Sequence, residues 1–442
     1  QHINMETGID NLDVYEAITL ESVKSSIDSF KPYKSPGMDG IYPILLQKGM
    51  DFLGKYIVEI YRECLLQGKS PARWLETKVV FIPKPGKLAY DEAGAFRPIS
   101  LFSFLQKGVE RIIQWHLDKY SLREKLHKNI FAYKESTSTE DALHNLLHKI
   151  EKAMEQKEQA LVLFLDLTAS FSTMTVEGII RSLKNIGCDA KILKWCKHLL
   201  EHRIVIAFLV GGKVCKLVVR GTPQGGILSV TFWNVGSQDM QERFPTPNPT
   251  PSNAFADDSA TITVGKDINI LGERMQEAAN TMQKWASDHG MRHNASKCKL
   301  MLFSRKRKKT YPKIYINGEE IEYVSEYKYL GVTITKNLSW RPHIEAITKR
   351  ATNIFLQCRL MLGRTWGLTP KISKWAYTAL IRPIISYASL IWTKGTMIKG
   401  QLKLLERVQR KACLTILNAM PSTPTAGMEV ILNLIGFLIW TS

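Results

Sequence analysis

The segment VLFLDL at 162–167 constrains the fold more than any other, because it ends a continuous apolar run on a single acid. An apolar run without alternating polar residues predicts a strand that is buried on both faces of a sheet. Asp166 then stands where the strand leaves the sheet, and a buried strand tolerates such an acid only if the carboxylate has a partner. The sequence therefore predicts a covered sheet with a partnered carboxylate at the end of one strand.

A second acidic feature is the pair Asp257 and Asp258, within PSNAFADDSA at 251–260. Adjacent carboxylates repel, and their juxtaposition is favourable only if a cation, a turn or open water absorbs the charge. The flanks, Phe255 and Ala256 before and 259–264 after, predict a strand, turn, strand hairpin with both acids at its tip. For the dipeptide alone, a solvated Asx-type turn is the plain alternative.

The two features together suggest a metal site. Asp166 and the hairpin acids come from two strand segments and could converge. Carboxylate oxygens are ligands that magnesium prefers, and two such ions roughly 4 Å apart can hold the attacking and leaving oxygens of a phosphoryl transfer.

Charge and composition restrict the partners. The formal net charge is +19 over 442 residues, which predicts an anionic partner, with nucleic acid first and an acidic membrane surface second. The most apolar run, at 428–440, has about 13 residues and falls short of the roughly 20 that a spanning helix needs. No signal peptide opens the chain, and seven scattered cysteines without a CxxC pair favour a reducing compartment over structural zinc.

The order of helix and strand signals predicts a mixed α and β protein of two or three subdomains. Helical periodicity dominates the first third, behind Thr19 and again after Thr139. Short apolar runs between about 160 and 335 predict strands, and helical patterns return from about 340. Four prolines at 245–251 predict a stiff, extended linker before the aspartate pair.

Several motifs, in this order, resemble a known family. FLDLTASF at 164–171, GTPQGGILS at 221–229 and FADD at 255–258 are similar to the palm motifs of reverse transcriptases, in particular those of non-LTR (LINE-type) retrotransposons. Six further blocks resemble the same branch: SPGMDGIYPILLQK at 35–48, FIPKPGK at 81–87, FRPISLFSFLQKGVERII at 96–113, STEDAL at 138–143, SKCKLMLFS at 296–304 and YLGVTI at 329–334. The resemblance covers nearly the whole chain.

The resemblance implies roles for the acids and for one lysine. Asp166, Asp257 and Asp258 would hold two magnesium ions, or manganese, that activate the primer 3′-hydroxyl and stabilise the triphosphate, with Asp258 the weaker ligand. Lys297 matches a lysine that would protonate the leaving pyrophosphate. The set of catalytic candidates is therefore three aspartates and one lysine.

The resemblance also implies substrate contacts. Lys84 and Arg97 match residues of the fingers that contact the triphosphate; ordinary surface solvation is the alternative for both. Gln224 and Gly225 match the segment where bare backbone lets nucleotide and template approach, against the alternative of a plain glycine turn. Phe171 matches the aromatic residue that excludes ribonucleotides, with core packing as the alternative.

Further residues are candidates for nucleic-acid contact. By resemblance, Tyr329, Leu330 and Gly331 belong to a hairpin that grips the primer end, although a buried strand fits equally well. On helical spacing alone, one face of the segment LKLLERVQRKACLTI carries four cations opposite an apolar face: Lys403, Arg407, Arg410 and Lys411. These cations could follow a phosphate backbone or be merely solvated. The basic run at 305–309 could contact template, act as a nuclear import signal, or only solubilise a loop.

Two observations favour other functions. His198 and His202 fit the H-x-x-E-H pattern of inverted zinc peptidases, but nothing in the sequence marks a third ligand. The chain also departs from the resembling family at Ser172, at Val230 and in the proline-rich, polar stretch before FADD, which predicts a short strand and a loose hairpin. Such departures suit a catalytically inactive, decayed or domesticated copy that only binds nucleic acid.

The expected architecture is an α+β right-hand polymerase with helical fingers, an antiparallel-sheet palm and a helical thumb. The expected division is an N-terminal extension and fingers at 1–157, a palm with the primer-grip hairpin at 158–338, and a thumb at 339–442. The expected function is RNA-directed DNA synthesis with an RNA template, a DNA primer and dNTPs as partners, and no membrane. We expect an intracellular chain, in nucleus and cytoplasm, in a ribonucleoprotein with the element RNA; flanking endonuclease or RNase H segments would lie outside it.

Overall fold

The computed structural model describes residues 14–86, 89–119, 125–168, 170–244, 252–307, 310–359, 369–393 and 399–436. Its helices are α1 (Leu20–Asp28), α2 (Pro43–Gln67), α3 (Ala72–Leu75), α4 (Phe104–Leu117), α5 (Thr139–Glu155), α6 (Ser170–Thr173), α7 (Val176–Asn185), α8 (Ala190–Glu201), α9 (Ser229–Glu242), α10 (Ile268–Asp288), α11 (Arg341–Arg359), α12 (Pro370–Ala376), α13 (Arg382–Ser386), α14 (Ser389–Trp392), α15 (Lys399–Leu417) and α16 (Thr425–Ile431). Its strands are β1 (Glu76–Pro83), β2 (Phe96–Leu101), β3 (Gln159–Leu165), β4 (Arg203–Leu209), β5 (Gly212–Val218), β6 (Asn253–Phe255), β7 (Asp258–Gly265), β8 (Lys299–Phe303), β9 (Tyr315–Ile316), β10 (Glu319–Glu320), β11 (Glu326–Tyr329) and β12 (Val332–Thr335).

Strand β3 lies inside an antiparallel sheet whose order is β6-β7-β3-β8. Every one of its residues is buried, as the apolar run in the sequence predicts. It pairs with β7 from Gln159 opposite Gly265 to Leu165 opposite Ser259, and with β8 on its other side. The predicted strand that ends at Asp166 and the predicted strand after the aspartate pair are both confirmed.

Two hydrophobic cores lie on the two faces of this sheet. Leu161, Leu163 and Leu165 belong to one core, which includes residues of α2, α4 and α7 to α10. Val162 and Phe164 belong to the other, which includes residues of α5, β12, α11 and α15. Successive side chains of a strand point to opposite faces, which explains this division. The end of β3 is therefore fixed by packing on both sides.

A second sheet has the order β2-β1-β4-β5. Strand β1 pairs antiparallel with β2 and parallel with β4, while β4 and β5 form a hairpin. Strands from either side of residue 157 thus share one sheet. The pairing of β1 with β4 joins segments more than 100 residues apart, so no local pattern in the sequence indicates it.

The predicted order of helix and strand signals is confirmed as a mixed helix and sheet fold. Helix α1 follows Thr19, whose side chain forms a capping box with Ser22, and α5 begins at Thr139, capped by Ser138. Helices return after residue 340. The predicted proline linker at 245–251 lies outside the described residues. Within the described ranges, every helix is too short or too polar to cross a membrane.

Candidate active site

Asp166 follows the last residue of β3, at the end of the buried strand. Because the β3–β7 ladder ends with Leu165 opposite Ser259, continuing its register places Asp166 across from Asp258. The backbone N–H of Asn294 donates to the Asp166 carbonyl oxygen at 3.0 Å, which holds the segment after the strand. Asp166 therefore lies beside the hairpin acids, as the sequence predicts.

The hairpin at 253–265 presents Asp257 and Asp258 at its tip. Phe255 pairs with Asp258, so Ala256 and Asp257 form a two-residue turn. Ala256 has φ +53°, a left-handed conformation that is uncommon for a residue other than glycine. The indole N–H of Trp233 donates to the Ala256 carbonyl oxygen at 2.9 Å and stabilises this turn. The predicted hairpin is confirmed.

Strand β6 has only three residues, as the preceding prolines and polar residues predict, but it is not loosely held. Ala254 exchanges backbone hydrogen bonds with the segment at 129–131, donating to Asn129 and accepting from Phe131. Asn253 accepts from the side chain of Asn145 at 2.7 Å and donates to Ala142 at 3.1 Å. These bonds replace the ladder that a longer strand would supply, so the short strand leaves the hairpin anchored.

The carboxylates form a strained electrostatic cluster. Loss of hydration, followed by the negative charges of Asp257 and Asp166, raises the pKa of Asp258 to about 6, although part of this side chain remains open to solvent. Lys297 Nζ lies 3.2 Å from Asp166 Oδ2. The site thus has more negative charge than one lysine can balance, and a cation bound there would favour the ionised form of all three acids.

The arrangement has the ligand chemistry for magnesium without a closed coordination shell. Within the ranges that the structure describes, no three His, Cys, Asp or Glu side chains are close enough together to hold a metal. One carboxylate oxygen of Asp166 is directed at Lys297 instead. The oxygen donors fit a hard divalent cation, and Asp166 would have to exchange its lysine contact for the metal.

Aromatic rings form a wall next to the hairpin. Phe171 stacks on Trp233 with centroids 4.7 Å apart and an interplanar angle of 18°, and Tyr133 meets Phe171 edge to face at 6.4 Å. Burial and the charge of Asp257 raise the pKa of Tyr133. Phe171 is half-buried, and its ring lies between two residues that adjoin the hairpin: Trp233, which binds Ala256, and Tyr133, whose pKa responds to Asp257.

Gln224 and Gly225 lie against strand β2. The backbone N–H of Ser100 donates to the Gln224 carbonyl oxygen at 2.7 Å. Gly225 has φ +123°, and a Cβ at this position would overlap the Ser100 carbonyl oxygen. Only glycine can adopt this conformation while the backbone approaches Ser100 so closely. The close approach therefore requires glycine at this position, which a plain turn would not explain.

Glu110 is a buried residue that the sequence analysis missed. Its carboxylate accepts from the backbone N–H groups of Ile227 at 2.7 Å and Leu228 at 3.2 Å, just before α9, and burial raises its pKa. It therefore fixes the loop that carries Gln224. The sequence does contain a signal for this residue. Glu110 lies three residues before Ile113, on the apolar face of α4, and an acid on a buried face needs a hydrogen-bond donor.

Lys84 directly follows strand β1 of the second sheet, and Arg97 lies in the neighbouring strand β2. Ile82 pairs with Arg97, and the backbone N–H of Lys84 donates to the Ala95 carbonyl oxygen at 2.8 Å. Since Ile82 and Lys84 are two residues apart, the two cations lie on the same face of the sheet. Lys84 Nζ donates to the Gly94 carbonyl oxygen at 2.9 Å. The structure thus brings these two predicted residues together.

The hairpin β11–β12 covers the strand that leads to Asp166. The Tyr327 ring stacks on Phe164 at 4.4 Å, and Tyr329 is buried beside the same ring at 5.4 Å. The turn between the strands is Leu330 and Gly331, both with positive φ, and the Tyr387 hydroxyl donates to the Leu330 carbonyl oxygen at 2.7 Å. Tyr329 is thus a core residue, while the turn reaches the surface.

The four cations predicted on α15 separate into two groups. Lys403, Arg407 and Lys411 are exposed at intervals of four residues, and the last two line a groove between α15 and α11. Arg410 is half-buried, and its guanidinium donates to Thr423 at 2.9 Å and to two further oxygens near α16. The exposed three form a basic stripe, whereas Arg410 closes the loop between α15 and α16.

The two histidines of the zinc alternative stack on each other at the end of α8. The rings of His198 and His202 are 4.3 Å apart, and His198 Nδ1 accepts from the backbone of Ser70 at 3.4 Å. Among the described residues they join no group of three potential metal ligands. The two histidines are therefore explained by their ring stacking and by the contact with Ser70, without a metal.

A basic chain whose sheet carries one acid at a strand end and two at a facing hairpin is typical of two-metal phosphoryl-transfer proteins such as polymerases and nucleases. The comparison with protein families narrows this class. The family described as reverse transcriptase (RNA-dependent DNA polymerase) matches residues 82–334, more than half of the chain. The chain therefore belongs to the reverse transcriptase family.

Curated relatives extend the similarity beyond the matched region. The chain is 28% identical over 408 residues to the RNA-directed DNA polymerase from mobile element jockey of Drosophila melanogaster, covering 89% of this chain and 43% of that protein. It is 27% identical to the probable RNA-directed DNA polymerase from transposon BS of the same organism, covering 92% and 46%. The predicted resemblance to non-LTR retrotransposon reverse transcriptases is confirmed, and the chain spans less than half the length of these relatives.

Among solved structures, apo telomerase from Candida tropicalis, truncated from its C-terminal domain, matches with a TM-score of 0.41 and 13% identity. The match covers 68% of this chain and 60% of that one. A similarity at this level carries no argument about the site.

Proposed function

We propose that this chain is the RNA-directed DNA polymerase portion of a non-LTR retrotransposon protein, extending a primer 3′-hydroxyl with dNTPs on an RNA template. Membership in the reverse transcriptase family and the names of the relatives support the activity. The observation that carries the proposal is the anchored hairpin that presents Asp257 and Asp258 beside Asp166. A solvated turn would need none of the bonds that fix this hairpin.

We propose a right-hand division to go with this activity: fingers within 1–157, palm within 158–338 and thumb within 339–442. The antiparallel sheet with β3 and the hairpin is the proposed palm. The exposed stripe on α15 would contact the template-primer duplex from the proposed thumb. The net charge of +19 supports binding to the element RNA in a ribonucleoprotein. We propose nucleus and cytoplasm as the locations of this particle.

In the proposed reaction, Asp166, Asp257 and Asp258 are the residues that would hold magnesium or manganese, which when bound supplies positive charge to the attacking and leaving oxygens. Lys84 and Arg97, on one face of the second sheet, would bind the triphosphate oxygens. The Phe171 ring, fixed by Trp233, would occupy the space that a 2′-hydroxyl needs.

Lys297 and the β11–β12 turn complete the proposed roles. Once it leaves Asp166, Lys297 would donate a proton from Nζ to the departing pyrophosphate. Leu330 and Gly331 lie on the same side of the sheet as Phe164 and would position the primer end. Gln224 and Gly225, tied to β2 through Ser100, would border the incoming nucleotide.

Primer extension on an RNA template tests the proposal. Asp257→Asn should lower the extension rate about a thousandfold or more, because it removes charge from a preorganised electrostatic site, with little change in template affinity. Asp267→Asn is the matched control: this exposed acid caps α10 by accepting from Asn269 at 2.8 Å, and asparagine can accept the same bond.

The results of this assay distinguish an active polymerase from an inactive copy that only binds nucleic acid. A wild-type chain that binds primer-template tightly yet never extends it, with magnesium or with manganese, would contradict the enzyme and leave a nucleic-acid-binding remnant. Equal extension by wild type and Asp257→Asn would contradict the metal site.

A further inference from the structure

Helix α2 has two apolar faces, and the described residues of the chain cover only one of them. Residues such as Met50, Ile57 and Tyr61 are buried and belong to the core that α1, α4 and α8 share. A neighbouring face, about 120° further round the helix, exposes a stripe at helical spacing, here called the α2 stripe. It consists of Leu45, Phe52, Leu53, Tyr56 and Ile60.

The exposure of the α2 stripe is larger than a solvated helix face requires. Phe52 is 79% exposed and Tyr56 is 59% exposed, whereas an ordinary surface helix places its aromatic residues on the single face that meets the core. Together the five side chains expose on the order of 500 Å², which is near the upper end of the apolar patches found on monomeric proteins. A patch of this size and continuity indicates a protein interface.

The charges beside the α2 stripe show which partner fits. Lys48 lies in the N-terminal half of the helix and Glu59 in the C-terminal half, next to the stripe on the same flank at the helical period of 100° per residue. Glu59 lies 3.7 Å from Arg62 but remains 71% exposed. A second α2 running in the opposite direction would place each Lys48 against the other copy's Glu59. The same register would place Phe52 against the other copy's Tyr56 and Leu45 against Ile60.

Charges of both signs lie beside the α2 stripe: Lys48 and Lys55 next to Glu59 and Glu63, with Lys55 Nζ 4.9 Å from the Tyr56 ring centroid. Nucleic acid favours a surface whose charges are basic throughout, so this mixed surface fits a protein partner better.

Another exposed apolar surface, around Phe208 on β4, has basic neighbours. There Lys78 lies 5.7 Å from the Phe208 ring centroid, and Lys213 pairs with Phe208 across the hairpin. Two copies of that surface would bring like charges together.

We propose that the α2 stripe is a homodimer interface, in which two copies of this chain pair their α2 helices antiparallel about a two-fold axis. Such an interface is isologous, so every contact occurs twice. Two stripes would bury roughly 1,000 Å², at the lower limit for a specific interface. The dimer is therefore expected to dissociate in the micromolar range and to be opposed by the +19 charge of each copy.

Sedimentation velocity on the full chain, freed of nucleic acid by nuclease and high salt, tests the interface. Between about 1 and 100 μM in roughly 0.3 M salt, which screens the long-range repulsion between copies, wild type should pass from monomer to dimer. Phe52→Glu should remain a monomer over this range. The matched control is Phe208→Glu, which removes a 56% exposed phenylalanine and should dimerise like wild type.

A charge exchange tests the register. Lys48→Glu should raise the dimer dissociation constant about tenfold or more, because it places the new carboxylate against Glu59 at both symmetry-related contacts. Combining Lys48→Glu with Glu59→Lys should restore the wild-type dissociation constant. All these positions are exposed, and unchanged thermal midpoints of the variants would show that they fold.

Several results would overturn the proposal. These are a wild type that stays monomeric at 100 μM, a dimer that Phe208→Glu dissolves and Phe52→Glu does not, or a dimer that persists only while RNA is present. Failure of the double exchange to restore dimerisation would overturn the antiparallel register.

Discussion

Arg407 and Arg410 are three residues apart on α15, and the structure predicts opposite consequences for their removal. Arg410 donates to the oxygens of Pro421 at 2.6 Å, Thr423 at 2.9 Å and Thr425 at 2.5 Å. Hydrogen bonds from a charged donor contribute about 1.5 kcal/mol or more each, and partial exposure reduces this. Arg410→Ala should therefore lower the free energy of unfolding by about 2–4 kcal/mol. It should leave the salt dependence of nucleic-acid binding unchanged.

Arg407 is exposed in the groove between α15 and α11, without any such bonds to α16. Arg407→Ala should change stability by less than about 0.5 kcal/mol. If Arg407 contacts one phosphate, the same change should lower the magnitude of the slope of log K against log salt by about 1. Removing both arginines should thus reduce the slope no further than removing Arg407 alone.

Fluorescence anisotropy of a labelled RNA–DNA primer-template, titrated at several salt concentrations, gives the slopes. Urea unfolding gives the stabilities, and hydrogen exchange of the 418–425 loop reports whether the bonds of Arg410 hold that loop. A slope that falls equally for Arg407→Ala and Arg410→Ala would refute the separation of roles. Unchanged slopes for both would leave the basic stripe as a solvated face.

Three further outcomes test other parts of the molecule. Phe171→Val should admit ribonucleotides in primer extension, because the ring excludes the 2′-hydroxyl by bulk; incorporation at the wild-type level would leave Phe171 a packing residue. Gly225→Ala should lower kcat/KM about tenfold or more, since the strained backbone and the overlap with Ser100 would displace the loop, whereas Gly427→Ala, with open space around it, should have no effect; equal activities would contradict the close approach. Burial, then the charge of Lys328, lowers the pKa of His343 to about 4. The unfolded chain takes up this proton near pH 6.5 and the folded chain resists it, so stability is complete above pH 6.5 and falls by about 3 kcal/mol as pH drops to 4. His343→Gln can still accept the hydrogen bond from the Thr333 backbone. In this variant, thermal unfolding measured between about pH 6.5 and 4 should show a smaller loss of stability. An unchanged pH dependence would show that His343 is not responsible.

The acidic site could be predicted because its parts are local patterns. An apolar run that ends on Asp166 specifies a buried strand and its exit, and Ala256 with Asp257 between two strand-forming segments specifies a hairpin. Each inference depends on side-chain alternation and turn formation over a few residues. The expected loosening of the short strand β6 was wrong. The bonds that hold it come from Asn129 and Asn145, more than 100 residues earlier in the chain.

By itself, the sequence determined which residues could carry the chemistry, since motif order, charge and periodicity are properties of neighbouring residues. Only the tertiary structure decided what each side chain contacts. In the folded chain, Glu110 binds the loop before α9 and Lys297 contacts Asp166. Arg410 binds the loop between α15 and α16, whereas Arg407 is exposed. Arg407 and Arg410 have the same chemistry and nearly the same helical position. Their roles diverge because a hydrogen bond depends on which distant backbone is brought within about 3 Å, and no local pattern encodes that distance.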